Sequence, residues 1–357
     1  MALTKVSTGV VDMSQDTGGL TIPKGTTAQQ PTCTAGILGS IRENTTENKV
    51  EVCTANAGTP TWQFLEEAGT SFTPLTVDYL VVAGGGAGGH AYGASGSGGG
   101  AGEFLYKTSQ ALTTGSPGYS VIVGSGSLAV TGSGQLPNYP PSGGDSTFNL
   151  DVTNGGAGGT NSDGFNAGAS GGSGSGGVLG QAGGTSVKTA GGLGNDGGSG
   201  YNGSNYGAGG GGGAITAGAN GSSSVGGNGG NGETNSITGT PVVYSAGGGG
   251  GRYLTNNNAQ GGSGGIGGNP TNGIPTTPNN YGCGGAGGSF LSGVSQRGGN
   301  ASSGVVILRY PSNYTIDTSQ IGSDLSSTTS NSVSGYLITT IICVNPTVTG
   351  TGTIQFT

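Results

Sequence analysis

Residues 77–90, VDYLVVAGGGAGGH, contain one arrangement whose spacing suits cofactor chemistry. An apolar run enters Gly84-x-Gly86-x-x-Gly89, the spacing of a dinucleotide-binding turn, and Glu103 follows about 20 positions later, where such a site places a carboxylate for the ribose. That chemistry needs a helix whose first amides hold the pyrophosphate. The residues that would form it, AGGHAYGASGSG, have glycine at every second or third position, and each interior glycine costs about 1 kcal/mol relative to alanine. The helix does not form, so no cofactor is expected and Glu103 reads as the start of a strand. His90 is the only histidine, which leaves almost no material for a His-rich metal site or a Ser-His-Asp triad. His90 reads as a surface or packing residue, and Glu66 and Glu67 as solvated carboxylates in a polar turn. No enzyme activity is expected.

The elements that would position any site are built from unusual material. Of 357 residues, 87 are glycine, 7% are charged and 6% aromatic, which leaves few side chains for a core. The net charge of −7 comes from 16 acids and nine bases scattered without a basic block, which argues against nucleic-acid binding. No apolar stretch approaches the ~20 residues of a membrane span, and the N-terminus lacks the apolar core of a secretory signal. The expected route is synthesis in a host cytoplasm and release in a particle. The four cysteines, Cys33, Cys53, Cys283 and Cys343, form no CxxC pair. They read as small buried apolar side chains, with a Cys33–Cys53 bridge left open because spacing does not fix connectivity.

Glycine density divides the chain into 1–76, 77–311 and 312–357, with 75 of the 87 glycines in the middle segment. The first segment reads as a hairpin in which Ile41, Val50 and Val52 alternate about a turn at 44–48, with Trp62 as an apolar anchor. In the middle, β-branched or aromatic runs at 77–83, 103–106, 119–124, 242–244 and 304–310 predict strands. Between them glycine recurs every third residue: Gly171, Gly174, Gly177, Gly180 and Gly183, then Gly191, Gly194, Gly197, Gly200 and Gly203. Three is the period of polyproline II, so these predict a bundle of rods bonded side to side, with 171–183 as one rod of ~40 Å. Strands framing the tract are expected to fix both ends of the rods, which favours order over a flexible linker. In 312–357, GYLITTIICV and GTIQFT are expected to pair as strands of a small C-terminal β element, and the polar stretch DTSQIGSDLSSTTSNSVSG before them reads as a loop. The fold class expected is mainly β with almost no helix.

Two stretches carry a family resemblance. The pattern Gly-x-Ile-Arg-x-Asn-Thr, then Lys-x-Glu, then Gly-x-x-x-Trp at 39–62 resembles a hairpin module near the N-termini of bacteriophage tail-fibre and virion proteins, although Glu43 and Cys53 stand where aromatics are usual. The series VDYLVVAGGGAGG, GGGAGEFLYK, YSVIVGSG, GGDSTF, YGCGGAGGS and GVVILRYP resembles the glycine-rich domain of phage tail fibres and virion appendages. It is more distantly similar to the glycine-rich region of the anaplastic lymphoma kinase receptor family. The resemblance implies a jelly-roll-like β framework carrying polyproline-II helices, a homotrimer exposed on a virion, attachment to other virion proteins through 1–76, and adhesion.

Turns joining the rods are where binding would sit. The candidates are Tyr139, Tyr201, Tyr206, Arg252, Tyr253 and Tyr281, which with nearby asparagines suit a host-surface glycan or outer-membrane protein. The alternatives are a decoration or spacer that binds no receptor, and an ice-binding protein, although the chain lacks one long flat threonine face.

Overall fold

The structure, a computed structural model, describes residues 22–56, 59–64, 75–115, 117–130, 140–162, 166–203, 206–223, 225–253, 281–291 and 294–357. The chain divides into two compact units, Met1–Thr73 and Pro74–Thr357.

In the first unit, alternation around the 44–48 turn produces the expected hairpin. β1 (Lys24–Gly25) runs parallel to β2 (Ile41–Asn44), and β3 (Lys49–Asn56) and β4 (Thr59–Phe64) continue the sheet antiparallel. Ile41 lies opposite Val52, and Cys53 opposite Trp62. The buried side chains here are mostly polar. Arg42 Nη1 meets Glu51 Oε1 at 2.6 Å, and Gln30 and Asn44 donate to the other carboxylate oxygen at 2.8 and 3.3 Å. Cys33 and Cys53 form a disulfide, which corrects the reading of these two as buried thiols. Cys283 and Cys343 are buried, as that reading has it, and burial pushes both thiols up.

The second unit is built on two five-stranded antiparallel sheets. Its strands are β5 (Thr76–Val82), β6 (Phe104–Ala111), β7 (Tyr119–Val123), β8 (Ser146–Phe148), β9 (Asp151–Thr153), β10 (Glu233–Asn235), β11 (Val242–Tyr244), β12 (Phe290–Leu291), β13 (Val294–Ser295), β14 (Val305–Pro311), β15 (Ile316–Asp317), β16 (Leu325–Ser330), β17 (Tyr336–Cys343) and β18 (Gly350–Phe356). One sheet has the order β16-β17-β14-β5-β6 and the other β15-β18-β7-β8-β9; β10 pairs with β11, and β12 with β13. The apolar runs of β5 and β14 are continuous because both of their faces are covered. Val77, Tyr79, Val81, Val306, Leu308 and Tyr310 pack against Val121, Phe148, Ile354 and Phe356 of the second sheet. Leu80, Val82, Val305 and Ile307 point the other way, onto Ala214, Ile237 and Tyr244.

Two C-terminal expectations are corrected. β17 and β18 do not pair with each other: β17 inserts between β14 and β16, and β18 between β7 and β15. The polar stretch read as a loop contains β16, held in register by buried Leu325, while its Ser and Thr residues run along a sheet edge where polar side chains meet water.

Glycine segments between the strands bond to one another mainly through backbone, with a few serine, threonine and asparagine side chains joining in. The segment 96–102 lies at the centre. Gly98 and Ala101 donate to Gly209 and Gly212, Ser97 and Gly100 to Thr160 and Ala157, and Gly96, Gly99 and Gly102 to Gly288, Gly285 and Gly282. Its carbonyls accept with the same step, from Gly86 and Gly89, from Ser173 and Gly176, and from Gly248 and Gly251. Every third residue returns to the same neighbour, so six segments surround this one. At its glycines the spacing allows no side chain: a Cβ on Gly99 would lie 2.1 Å from the Gly86 carbonyl oxygen, and one on Gly100 2.1 Å from that of Ser173.

Two features of the rods differ from expectation. Residues 171–183 are not one rod, because Leu179 and Gly180 both take positive φ (49° and 84°) and Gln181 N–H donates to Val178 O, folding the second half back beside the first. Gly191 (φ 83°) likewise sits in a turn. Nor do the two large sheets hold both ends. The segments that adjoin them do so at one end of the lattice, following β5 and β9 and preceding β6 and β14, while the two-residue pair β12–β13 stands at the other end.

Candidate functional site

The opposite end of the lattice carries turns. Gly96 marks that end: it accepts from Gly251 and donates to Gly288, so the residues that follow each of those, Arg252–Tyr253 and Ser289–Phe290, leave the lattice side by side. Phe290 N–H donates to Arg252 O at 3.2 Å, and the rings of Tyr253 and Phe290 stack with centroids 5.3 Å apart and planes within 5°. Tyr206 lies just before Ala208, whose N–H donates to Gly251 O, and its ring stands edge-on to Tyr253 at 5.5 Å. Ser95 Oγ donates to the Tyr206 carbonyl and fixes this turn. The three rings are half-buried.

Of the six candidate residues, the fold therefore brings together Tyr206 and Tyr253. Tyr201 lies in the same turn as Tyr206, exposed, with its N–H donating to Gly207 O. Arg252 is corrected as an exposed tip: it is buried, its N–H donates to Ser289 Oγ, and its guanidinium reaches Ser223 O at 3.4 Å. It turns inward toward Ser223 and does not stand out as a charged tip. Tyr281 is corrected as well. It stacks on Tyr244 at 6.4 Å near the strand-bearing end of the lattice, where burial pushes its phenol up. Tyr139 lies outside the described residues, as do Glu66 and Glu67.

Sequence reading missed Phe290 and Tyr92. Tyr92 is exposed in the turn after His90, where Gly93 takes φ 70° and Ser162 Oγ accepts from Tyr92 N–H at 2.6 Å. Its signal was a tyrosine beside a glycine between two rod segments; Phe290 had none, because the ring it stacks on comes from 37 positions earlier in the chain. His90 itself is buried, with its N–H on Asn161 Oδ1 at 2.6 Å. Gly84, Gly86 and Gly89 serve close approach: a Cβ on any of them would lie within 2.0 Å of a neighbouring carbonyl oxygen. Glu103 is buried just before β6 and accepts from the N–H groups of Asn154 and Thr189 at 2.8 and 2.7 Å, tying β9 and the 189 turn to that strand.

This end of the lattice offers ring edges, phenol hydroxyls and turn amides, a surface for stacking and hydrogen bonding. Among the described residues, no group of three or more His, Cys, Asp or Glu side chains is placed to hold a metal. No described helix is long and apolar enough to cross a membrane.

A family model for the glycine-rich domain matches residues 54–311. The chain belongs to the glycine-rich domain family. The match ends with β14, so β17 and β18, which pair with β14 and β7 of the glycine-rich domain, complete its sheets from outside the matched residues. No curated protein and no solved structure matches the chain.

Proposed function

We propose that this glycine-rich domain protein is a bacteriophage virion fibre whose work is adhesive and mechanical, with no catalytic step. The observation that carries the reading is polarity: the lattice joins the sheets at one end, and the turns with Tyr92, Tyr201, Tyr206 and Tyr253 stand at the other. A stiff body that holds aromatic turns away from its support suits contact with a host glycan or outer-membrane protein, and many copies on one particle would convert weak contacts into avidity. The three-residue return of hydrogen-bond partners supports polyproline-II geometry for the rods. The resemblance of the first unit to a phage attachment hairpin supports anchoring through 1–76 and assembly as a homotrimer on the virion.

A second reading, a spacer that binds no receptor, draws support from the stack itself, since Tyr206, Tyr253 and Phe290 spend much of their ring surface on one another. Competition separates the two. Purified protein should slow adsorption of the phage that carries it, and the Tyr201→Ala/Tyr92→Ala variant should not. No inhibition at saturating dose would remove the adhesive reading and leave the spacer.

A further inference from the structure

The first unit holds a cavity of about 510 Å³, within the ordinary range for small-ligand sites. Its apolar wall is Trp62 with Pro31, Ile37 and Ile41. The wall is fixed rather than loose: Trp62 Nε1–H donates to Pro31 O at 2.6 Å, and the Cys33–Cys53 disulfide ties the stretch after Pro31 to β3, directly opposite Trp62. With its N–H satisfied, the indole has only apolar ring surface to offer a ligand.

The polar side of the cavity selects against charge. Its two cations are already paired, Lys24 with Glu43 at 2.8 Å and Arg42 with Glu51 at 2.6 Å, so an anion meets no uncompensated positive charge. A cation is disfavoured too, because the Arg42 guanidinium already lies 6.0 Å from the Trp62 ring centroid. What remains is the Ser40 hydroxyl and the Gln29 amide, whose oxygen accepts from Thr26 N–H and whose NH2 is thereby left as the donor. A rigid aromatic face, a neutral rim, a hydroxyl and an amide fit a molecule with one apolar face and a ring of hydroxyls.

We propose that this cavity binds a neutral pyranose, stacked on Trp62 and hydrogen-bonded by Ser40 and Gln29. The site is separate from the lattice turns and does not depend on their role. Trp62 is the only tryptophan in the chain, so its emission reports on this cavity alone. The experiment titrates the full chain with maltose, lactose, cellobiose and N,N′-diacetylchitobiose, and with sialyllactose as the charged comparison. At least one neutral disaccharide should give a saturable change in emission, and Ser40→Tyr, which fills the cavity from an exposed position, should weaken it about tenfold or more while leaving melting unchanged. No saturable change with any neutral sugar, an equal response from Ser40→Tyr, or a response confined to sialyllactose would overturn the proposal.

Discussion

Two parts of the second unit reach the same burial by opposite means. Between the sheets, large side chains such as Phe148, Leu308 and Phe356 interlock, and each contributes about 1.5–3 kcal/mol through the apolar surface it removes from water. In the lattice nearly every residue around 96–102 is Gly, Ala or Ser, and the segments come so close that backbone amides and carbonyls bond directly. Ordering each glycine costs about 1–2 kcal/mol with no side-chain burial in return, so the lattice depends on many hydrogen bonds formed together. A sheet core of this kind fails when atoms are removed. The lattice fails when atoms are added.

Addition should have the largest effect. Gly99→Leu places a Cβ 2.1 Å from the Gly86 carbonyl on a segment surrounded by six others, where no neighbour can retreat without losing bonds of its own. The expected loss is about 4 kcal/mol or more, read as failure to accumulate soluble protein or a collapse of the main melting transition. Ala219→Leu adds atoms to the same lattice at its rim, where residue 219 is exposed while its carbonyl accepts from Gly210 N–H, and should leave melting within about 0.5 kcal/mol of the parent. Equal tolerance at both positions would break the comparison.

Subtraction comes next. Leu308→Ala empties a fully buried place between the sheets and should cost about 2–5 kcal/mol, measured by chemical denaturation.

The first unit sharpens the contrast because it relies on neither device. Its buried group is the Arg42–Glu51 pair with Asn44, and a disulfide closes a 20-residue separation. Small units with little apolar core lean on such staples. Cys53→Ser should therefore cost about 3 kcal/mol by loop entropy, seen in the Trp62 emission transition and absent from the transition of the sheets.

How much of this was legible follows from which atoms carry the information. β5, β14 and β11 could be read because β-branched and aromatic runs encode their own strands, and Val242–Tyr244 falls where the sequence places it. β16 could not, since Ser and Thr at a sheet edge look like a loop when only Leu325 is buried. The three-residue period of the glycine segments was legible and recurs in their hydrogen bonds, but their order was not: a glycine carbonyl carries no mark of its partner. That is why the distance between Tyr206 and Tyr253, 47 positions apart in sequence, had to come from the fold, and why Arg252 read as a tip although its guanidinium is spent on Ser223 O. Density did carry information. The run at 98–100 is interior, whereas Asp196, Asn228 and Asn231, which interrupt glycines, face solvent.

The smallest effect concerns what joins the two sheets at their edge. Asp151 of β9 accepts from Tyr79 O–H of β5 and from Lys107 Nζ of β6, the latter at 2.7 and 2.8 Å. Burial alone would raise its carboxyl, but the hydrogen bonds from Lys107 and Tyr79 outweigh this and hold it below the usual carboxylate range. On the Tyr79 side, burial first and then the bond to Asp151 push the phenol up. Because the folded carboxyl is the stronger acid, the unfolded chain takes up the proton first as pH falls. The bridge's contribution is thus complete above the ordinary carboxylate value and is lost as pH drops through the lowered folded one. With both partners partly exposed, at 34% and 25%, the contribution should be about 1 kcal/mol or less. Asp151→Asn should melt slightly below the parent at neutral pH, and the gap should close as pH falls below the ordinary carboxylate range. A gap that stays constant across that range would mean that Asp151 joins the sheets through shape and neutral hydrogen bonding, and that the edge, like the lattice beside it, depends on close fit more than on charge.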